Sequence, residues 1–169
     1  SASDWFWETD AQDRYTFFGG RHEEITGLSE KEKIGFTRRE LMARYDQGAN
    51  LNENVDFAAL EATIEAHEPF GNFTYWITGA DGRRSYISVN GRPYFDKSGK
   101  FLGYRGVASD LTAAKLSDEQ LAEGRLIYQQ LVDLSPDAII MQTSEIGRIA
   151  FANSAAVELI GVEGPDDLV

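Results

Sequence analysis

From Asp4 to Asp10 (DWFWETD) large and polar residues alternate, and after Ala11-Gln12-Asp13-Arg14 a second run, Tyr15 to Phe18, follows. A period of two puts alternate side chains on opposite faces, so the pattern predicts strand, turn, strand. Gly19-Gly20 breaks it. Glu23 to Leu28 (EEITGL) then predicts a short helix stopped by Gly27, and Ser29-Glu30-Lys31-Glu32 a helix start with acids in its first turn. Arg38 to Tyr45 predicts another short helix, and Asp46 to Asn54 a loop. Phe57 to His67, with Leu60 and Ile64 four apart, should be the longest helix of this domain. Glu68-Pro69-Phe70-Gly71 ends it.

Three antiparallel strands are expected between Phe73 and Thr112. Phe73 to Thr78 is rich in aromatic and β-branched residues, and Gly79-Ala80-Asp81-Gly82 supplies the turn. Ser85 to Asn90 alternates, with Ile87 and Val89 on one face and Tyr86, Ser88 and Asn90 on the other. Asp96-Lys97-Ser98-Gly99 makes a second turn, and Phe101 to Ala108 a third strand. Pro93 lacks a ladder donor, so it is expected at an edge or exit of the second strand. An antiparallel sheet with helices on one face is an α+β fold.

Beyond Thr112 the pattern changes. From Ala113 to about Leu134 only Gly124 interrupts a helical run, and Leu116, Gln120, Gly124, Ile127, Leu131 and Leu134 fall on one narrow face, closer to a coiled-coil seam than to a buried core helix. The chain then repeats itself. Arg148-Ile149-Ala150-Phe151 matches Arg14-Tyr15-Thr16-Phe17, and Glu158-Leu159-Ile160-Gly161 matches Glu24-Ile25-Thr26-Gly27 at the same offset. Such self-similarity signals a tandem array. The expected organisation is therefore a domain over residues 1–112, a linking helix over 113–134, and the first half of a second domain over 135–169. The given chain is expected to be a fragment of a longer protein.

Composition narrows the chemistry. Zero cysteines remove disulfides, thiolate metal sites and cysteine nucleophiles. A net charge of −12 argues against nucleic-acid and anionic-membrane partners, and dispersed acids read as solubility. No run is apolar enough to span a bilayer, and Ser1-Ala2-Ser3-Asp4 does not resemble a signal peptide. The expectation is a cytoplasmic chain, or the cytoplasmic part of a membrane-anchored sensor, without direct membrane contact. Phosphate-loop, zinc-protease and nucleophile-elbow motifs are missing from the sequence, so this fragment is expected not to be an enzyme. Acid pairs such as Glu23-Glu24 and Asp166-Asp167 are expected on the surface. So is His22, and His67 should close its helix, where the dipole favours a cation.

Asp81-Gly82, Arg92-Pro93-Tyr94, Ser98-Gly99, Gly103-Tyr104-Arg105-Gly106 and Asp110-Leu111-Thr112 occur in this order. In that series the chain resembles the C-terminal half of a PAS sensory domain, and the strand and helix order before it is similar too. The resemblance implies a PAS fold, a five-stranded antiparallel sheet with short helices on one face. It implies a sensory or regulatory module, in bacterial-type signal transduction, for a downstream effector such as a histidine kinase, diguanylate cyclase or phosphodiesterase. A ligand-free dimerisation scaffold, or a haem or flavin redox sensor, is the alternative.

The same resemblance places Trp5, Trp7, Phe73, Tyr75, Ile77, Ile87, Val89, Tyr104 and Ala108 around the internal cavity. So many aromatic rings favour a filled core with no cofactor; a small apolar ligand is the second reading. Haem-binding relatives take their histidine near the start of the long helix, where this chain has Val55-Asp56-Phe57. Light-sensing relatives use a reactive cysteine on their helices, which this chain lacks, and amide side chains where it has Ile77, Ile87 and Ala108. Flavin held in that manner is not expected, other flavin modes of the family stay open, and neither haem nor a metal is expected. Asp110 and Thr112 match the pair that couples sheet to signalling helix in such domains. Either could accept from the free N–H groups of a helix starting at Ala113. The half domain's Ile139, Ile140, Ile149, Phe151, Val157, Leu159 and Ile160 have no partner sheet within residues 135–169. A homodimer through the helix 113–134 and the half domain, parallel as the family habit implies, would cover them.

Overall fold

The computed structural model describes residues 4–46, 50–142 and 149–161. Arg148, the Asp166-Asp167 pair and residues 47–49 of the expected loop lie outside them. The chain divides into two compact units, residues 1–115 and 116–169.

The first unit opens with strands β1 (Trp5–Thr9) and β2 (Tyr15–Gly20), continues through helices α1 (His22–Thr26), α2 (Glu30–Lys33), α3 (Arg38–Tyr45) and α4 (Phe57–Glu65), and returns in strands β3 (Phe70–Thr78), β4 (Arg84–Phe95) and β5 (Phe101–Asp110). The five strands form one antiparallel sheet in the order β2-β1-β5-β4-β3. The hairpin β1-β2 and the meander β3-β4-β5 thus join through β1 and β5. This closure brings the two ends of the domain together, and the Asp4 N–H donates to the Ala108 carbonyl at 2.8 Å. One face of the sheet carries Trp5, Trp7, Tyr75, Ile87 and Val89 into the core, where Ile25 and Leu41 of α1 and α3 meet them.

Strand β4 runs further than its alternation implied, through Pro93 to Phe95. Its pairing with β3 stops at Gly91, whereas its pairing with β5 continues to Phe95. Pro93 therefore sits where β4 has a neighbour on one side only, and its missing N–H leaves no rung open. The long helix α4 ends at Glu65, and His67 lies past it with φ of 55°, its ring stacked on Phe101 at 3.7 Å.

Helix α5 (Thr112–Asp133) begins one residue before the expected start. In the second unit its last turns are followed by strands β6 (Ile140–Gln142) and β7 (Ile149–Ala152), an antiparallel pair, and helix α6 (Ser154–Ile160). Asn153, fully buried, organises this unit. Its Oδ1 accepts from the Ile139 and Ala156 N–H groups at 2.8 and 3.0 Å, and its Nδ2 donates to the Val132 and Asp137 carbonyls, both at 2.9 Å.

Candidate functional site

Alternation in β1 turns Trp5 and Trp7 inward and leaves Phe6 exposed. Trp7 can lie flat against the sheet because β5 has Gly106 there; a Cβ at that position would collide with the indole ring and the Asn90 carbonyl. Between this face and helices α2 and α3 is a cavity of about 50 Å³. Of the residues expected around it, Trp5, Trp7, Tyr75, Ile77, Ile87 and Val89 line it. Phe73 instead packs on Phe57 at 5.4 Å, and Tyr104 donates its hydroxyl to the Glu68 carbonyl at 2.9 Å. Ala108 is enclosed between β1 and β4.

Two cations that no periodicity points to complete the wall: Lys33 and Arg38, each only 7 % exposed. Local caps fix both. Glu32 accepts from the N–H and hydroxyl of Ser29 at 2.8 and 2.7 Å, starting the single turn of α2 that ends on Lys33. Thr37 and Glu40 exchange bonds in a capping box, so α3 starts at Arg38. Arg38 donates from Nε to the Tyr75 hydroxyl at 3.2 Å, with the rings of Trp7, Tyr75 and Phe70 5.7, 5.9 and 6.0 Å from its guanidinium carbon. Burial opposes its charge, but the Tyr15 and Tyr75 phenols and the Asp13 carboxyl outweigh that and keep it protonated. Burial pushes the Tyr15 phenol and the Asp13 carboxyl up.

Lys33 has less support. Its Nζ sits 4.9 Å from the Phe18 ring centroid, and burial draws its pKa down to about 7, against a small pull from Glu32. His22 stacks on the same Phe18 ring at 4.3 Å. It is buried rather than at the surface, because α1 lays its first residue against β2, where desolvation and Lys33 hold the imidazole neutral with a pKa of about 3. The Trp7 Nε1 and His22 Nε2 atoms are buried without a hydrogen-bond partner among the described residues. Among those residues no group of acids and histidines is arranged to hold a metal ion.

A second cluster lies where β5 runs into α5. Asp110 Oδ1 accepts from the N–H of Thr112 at 2.9 Å and from its hydroxyl, so Asp110 satisfies the first N–H of the helix. The Thr112 oxygen does a different job: it accepts from the Tyr86 N–H of β4 at 2.9 Å, while the Leu111 N–H donates to the Tyr86 carbonyl at 2.8 Å. Asp4 joins in through Oδ2, which accepts from the Asp110 N–H at 2.8 Å. Its Oδ1 lies 3.3 Å from Arg21, the residue before α1. Asp4 and Arg21 stand at element ends, where periodicity carries no information, and sequence reasoning passed over them.

A PAS domain model matches residues 3–113, and a second PAS domain model matches residues 126–169. The chain belongs to the PAS domain family. PAS domains are sensory rather than catalytic modules, and the α+β fold with its five-stranded antiparallel sheet is theirs. Solved PAS-type structures are similar at low identity. An RNA-binding light-oxygen-voltage receptor shares 21% identity at a TM-score of 0.56, covering 73% of this chain and 34% of its own, so this chain spans about a third of that receptor. The N-terminal domain of a diguanylate cyclase with a PAS/PAC sensor from Marinobacter aquaeolei shares 14% at 0.53, covering 66% and 97%. The light-oxygen-voltage domain of a blue-light activated histidine kinase from Erythrobacter litoralis shares 19% at 0.53, covering 66% and 99%. At these identities the likeness shows the fold alone. No curated protein matches the sequence significantly. No helix among the described residues of this PAS protein is long and apolar enough to cross a membrane.

Proposed function

We propose that residues 4–112 form a sensory PAS domain that reports through α5 to an effector domain in the same protein. The observation that carries this reading is the Asp110–Thr112 junction. One carboxylate closes the start of α5, and the hydroxyl it holds is bonded in turn to β4. A shift between β4 and β5 must move the first turn of the helix or break those bonds, which is what a two-state output requires. Asp4 extends the junction to β1, one residue from Trp5 of the cavity wall. The effector would be a histidine kinase or a cyclic-dinucleotide enzyme, by analogy with the kinase and cyclase that carry the similar domains. Exchanging both Asp110 and Thr112 for Ala should cost about 1–2 kcal/mol in chemical denaturation, as for a lost cap. In the full-length protein, output should stop responding to stimulus while the domain stays folded. A variant with unchanged regulation would reduce the junction to a helix cap.

We propose that the domain carries neither haem nor a flavin held as in the light-sensing relatives. The side chains of Ile77, Ile87 and Ala108 cannot hydrogen-bond a flavin ring, and the cavity of about 50 Å³ is far smaller than either group. Freshly purified protein should be colourless from about 350 to 700 nm; a Soret band or flavin fluorescence would sink this expectation.

A further inference from the structure

The cavity wall presents more positive charge than its own residues use. Lys33 has no hydrogen-bond or ion-pair partner among the described residues, only the face of Phe18. The acid that acts on it, Glu32, turns its Oε2 to Ser29. Asp46, on the same wall, accepts from the Thr78 hydroxyl at 2.9 Å. Arg38 adds a second buried cation, and Trp7 a buried indole N–H without a partner among the described residues. An ammonium set without a counter-ion in a largely apolar wall is costly, and a ligand that supplies the missing charge removes that cost. The rest of the wall is apolar and aromatic.

We infer that this cavity binds a small organic acid, one carboxylate joined to a compact aliphatic or aryl body, with the carboxylate on Lys33 and the body against Trp5, Tyr75 and Ile87. This inference rests on the sensory reading above and names the class of molecule sensed. The present volume suits only the smallest such acids. Met42 and the Lys33 stem are unbranched and line the same space, so they are the walls that give way to a larger one.

Titration calorimetry of the 169-residue chain with butyrate, benzoate and phenylacetate, against butyramide, benzamide and phenylacetamide, tests it. Each amide matches its acid in shape and lacks the charge. At least one acid should bind about tenfold or more tightly than its amide, the margin of one charge-assisted hydrogen bond in a dry site. Lys33→Met keeps the stem's packing; it should bring that acid down to the affinity of its amide and leave the amide unchanged, with tryptophan fluorescence confirming the native core. Three results would overturn the inference: no acid binds, acids and amides bind alike, or the preference survives in Lys33→Met. Binding is read on this chain alone and signalling on the effector's output, so failure of one is distinguishable from failure of the other.

Discussion

Lys33 and Arg38 bring charge into the same apolar space by different means. Arg38 carries a delocalised, weakly hydrated cation that stacks on rings and bonds a phenol, so it stays charged. Lys33 is a compact ammonium, and burial lowers its pKa from 10.5 to about 7. Between those values the unfolded chain binds more protons than the native one, so stability rises with pH there; below about 7 both states are protonated and the native state bears the cost in full. Lys33→Met should therefore melt higher than the parent at pH 7. Its stability should also climb less between about pH 7 and 9, a range that stays below tyrosine ionisation in the unfolded chain. Urea denaturation at a series of pH values measures both, and an unaltered slope would mean that Lys33 is not the group responsible. His22 has the same sign lower down: with its pKa at about 3 instead of 6.5, its neutral burial favours the native state fully above 6.5 and loses that advantage as pH falls.

At the scale of elements, single polar side chains do the joining. Asn153 caps α6 and, through Nδ2, satisfies the Val132 carbonyl in the last turn of α5, one of the carbonyls a helix end leaves open. Asp133 adds a second tie, accepting from the Ser154 N–H and hydroxyl at 2.9 and 2.7 Å. Asn153→Ala would strand buried partners on both α5 and the strand-side loop, so a loss of about 2–4 kcal/mol is expected. The loss should be local. Amide exchange should quicken for residues 139–142 and 149–157 and stay unchanged in β1, β4 and β5; uniform acceleration across both units would contradict this role.

At the scale of the whole molecule, α5 and the half domain present apolar side chains to solvent. Ile127, Leu131 and Leu134 are 48%, 65% and 82% exposed, and Ile140, Leu159 and Ile160 of the half domain are exposed as well. We propose that a second copy of the chain covers this surface, since residues spaced as a seam on a 22-residue helix suit an identical helix alongside. Sedimentation at micromolar concentration should then show a dimer, tightening with salt as the −12 charge of each copy is screened. Leu131→Glu with Leu134→Glu should give a monomer whose first unit melts unchanged. A parent chain that is monomeric throughout would refute the dimer, and a dimer indifferent to both substitutions would put the interface elsewhere.

Several features of this PAS domain follow from sequence alone because they depend on neighbours in the chain. Alternation in β1 and β4 decides that Trp5, Trp7, Ile87 and Val89 face inward, and the Asp81-Gly82 and Ser98-Gly99 turns decide that β3, β4 and β5 are antiparallel. Local pairs likewise mark the starts of α2 and α3. The burial of Lys33, Arg38 and His22 does not follow from any such pattern. Helices of one or two turns have too few residues for a period to show, and which side chain enters the core depends on how the loops set those helices against the sheet. The same holds where Asp4 meets Asp110, 106 positions apart in the chain. Closure of β1 on β5 makes that contact, and only tertiary structure could set two acids of an acidic chain at the point where the sheet hands over to the helix.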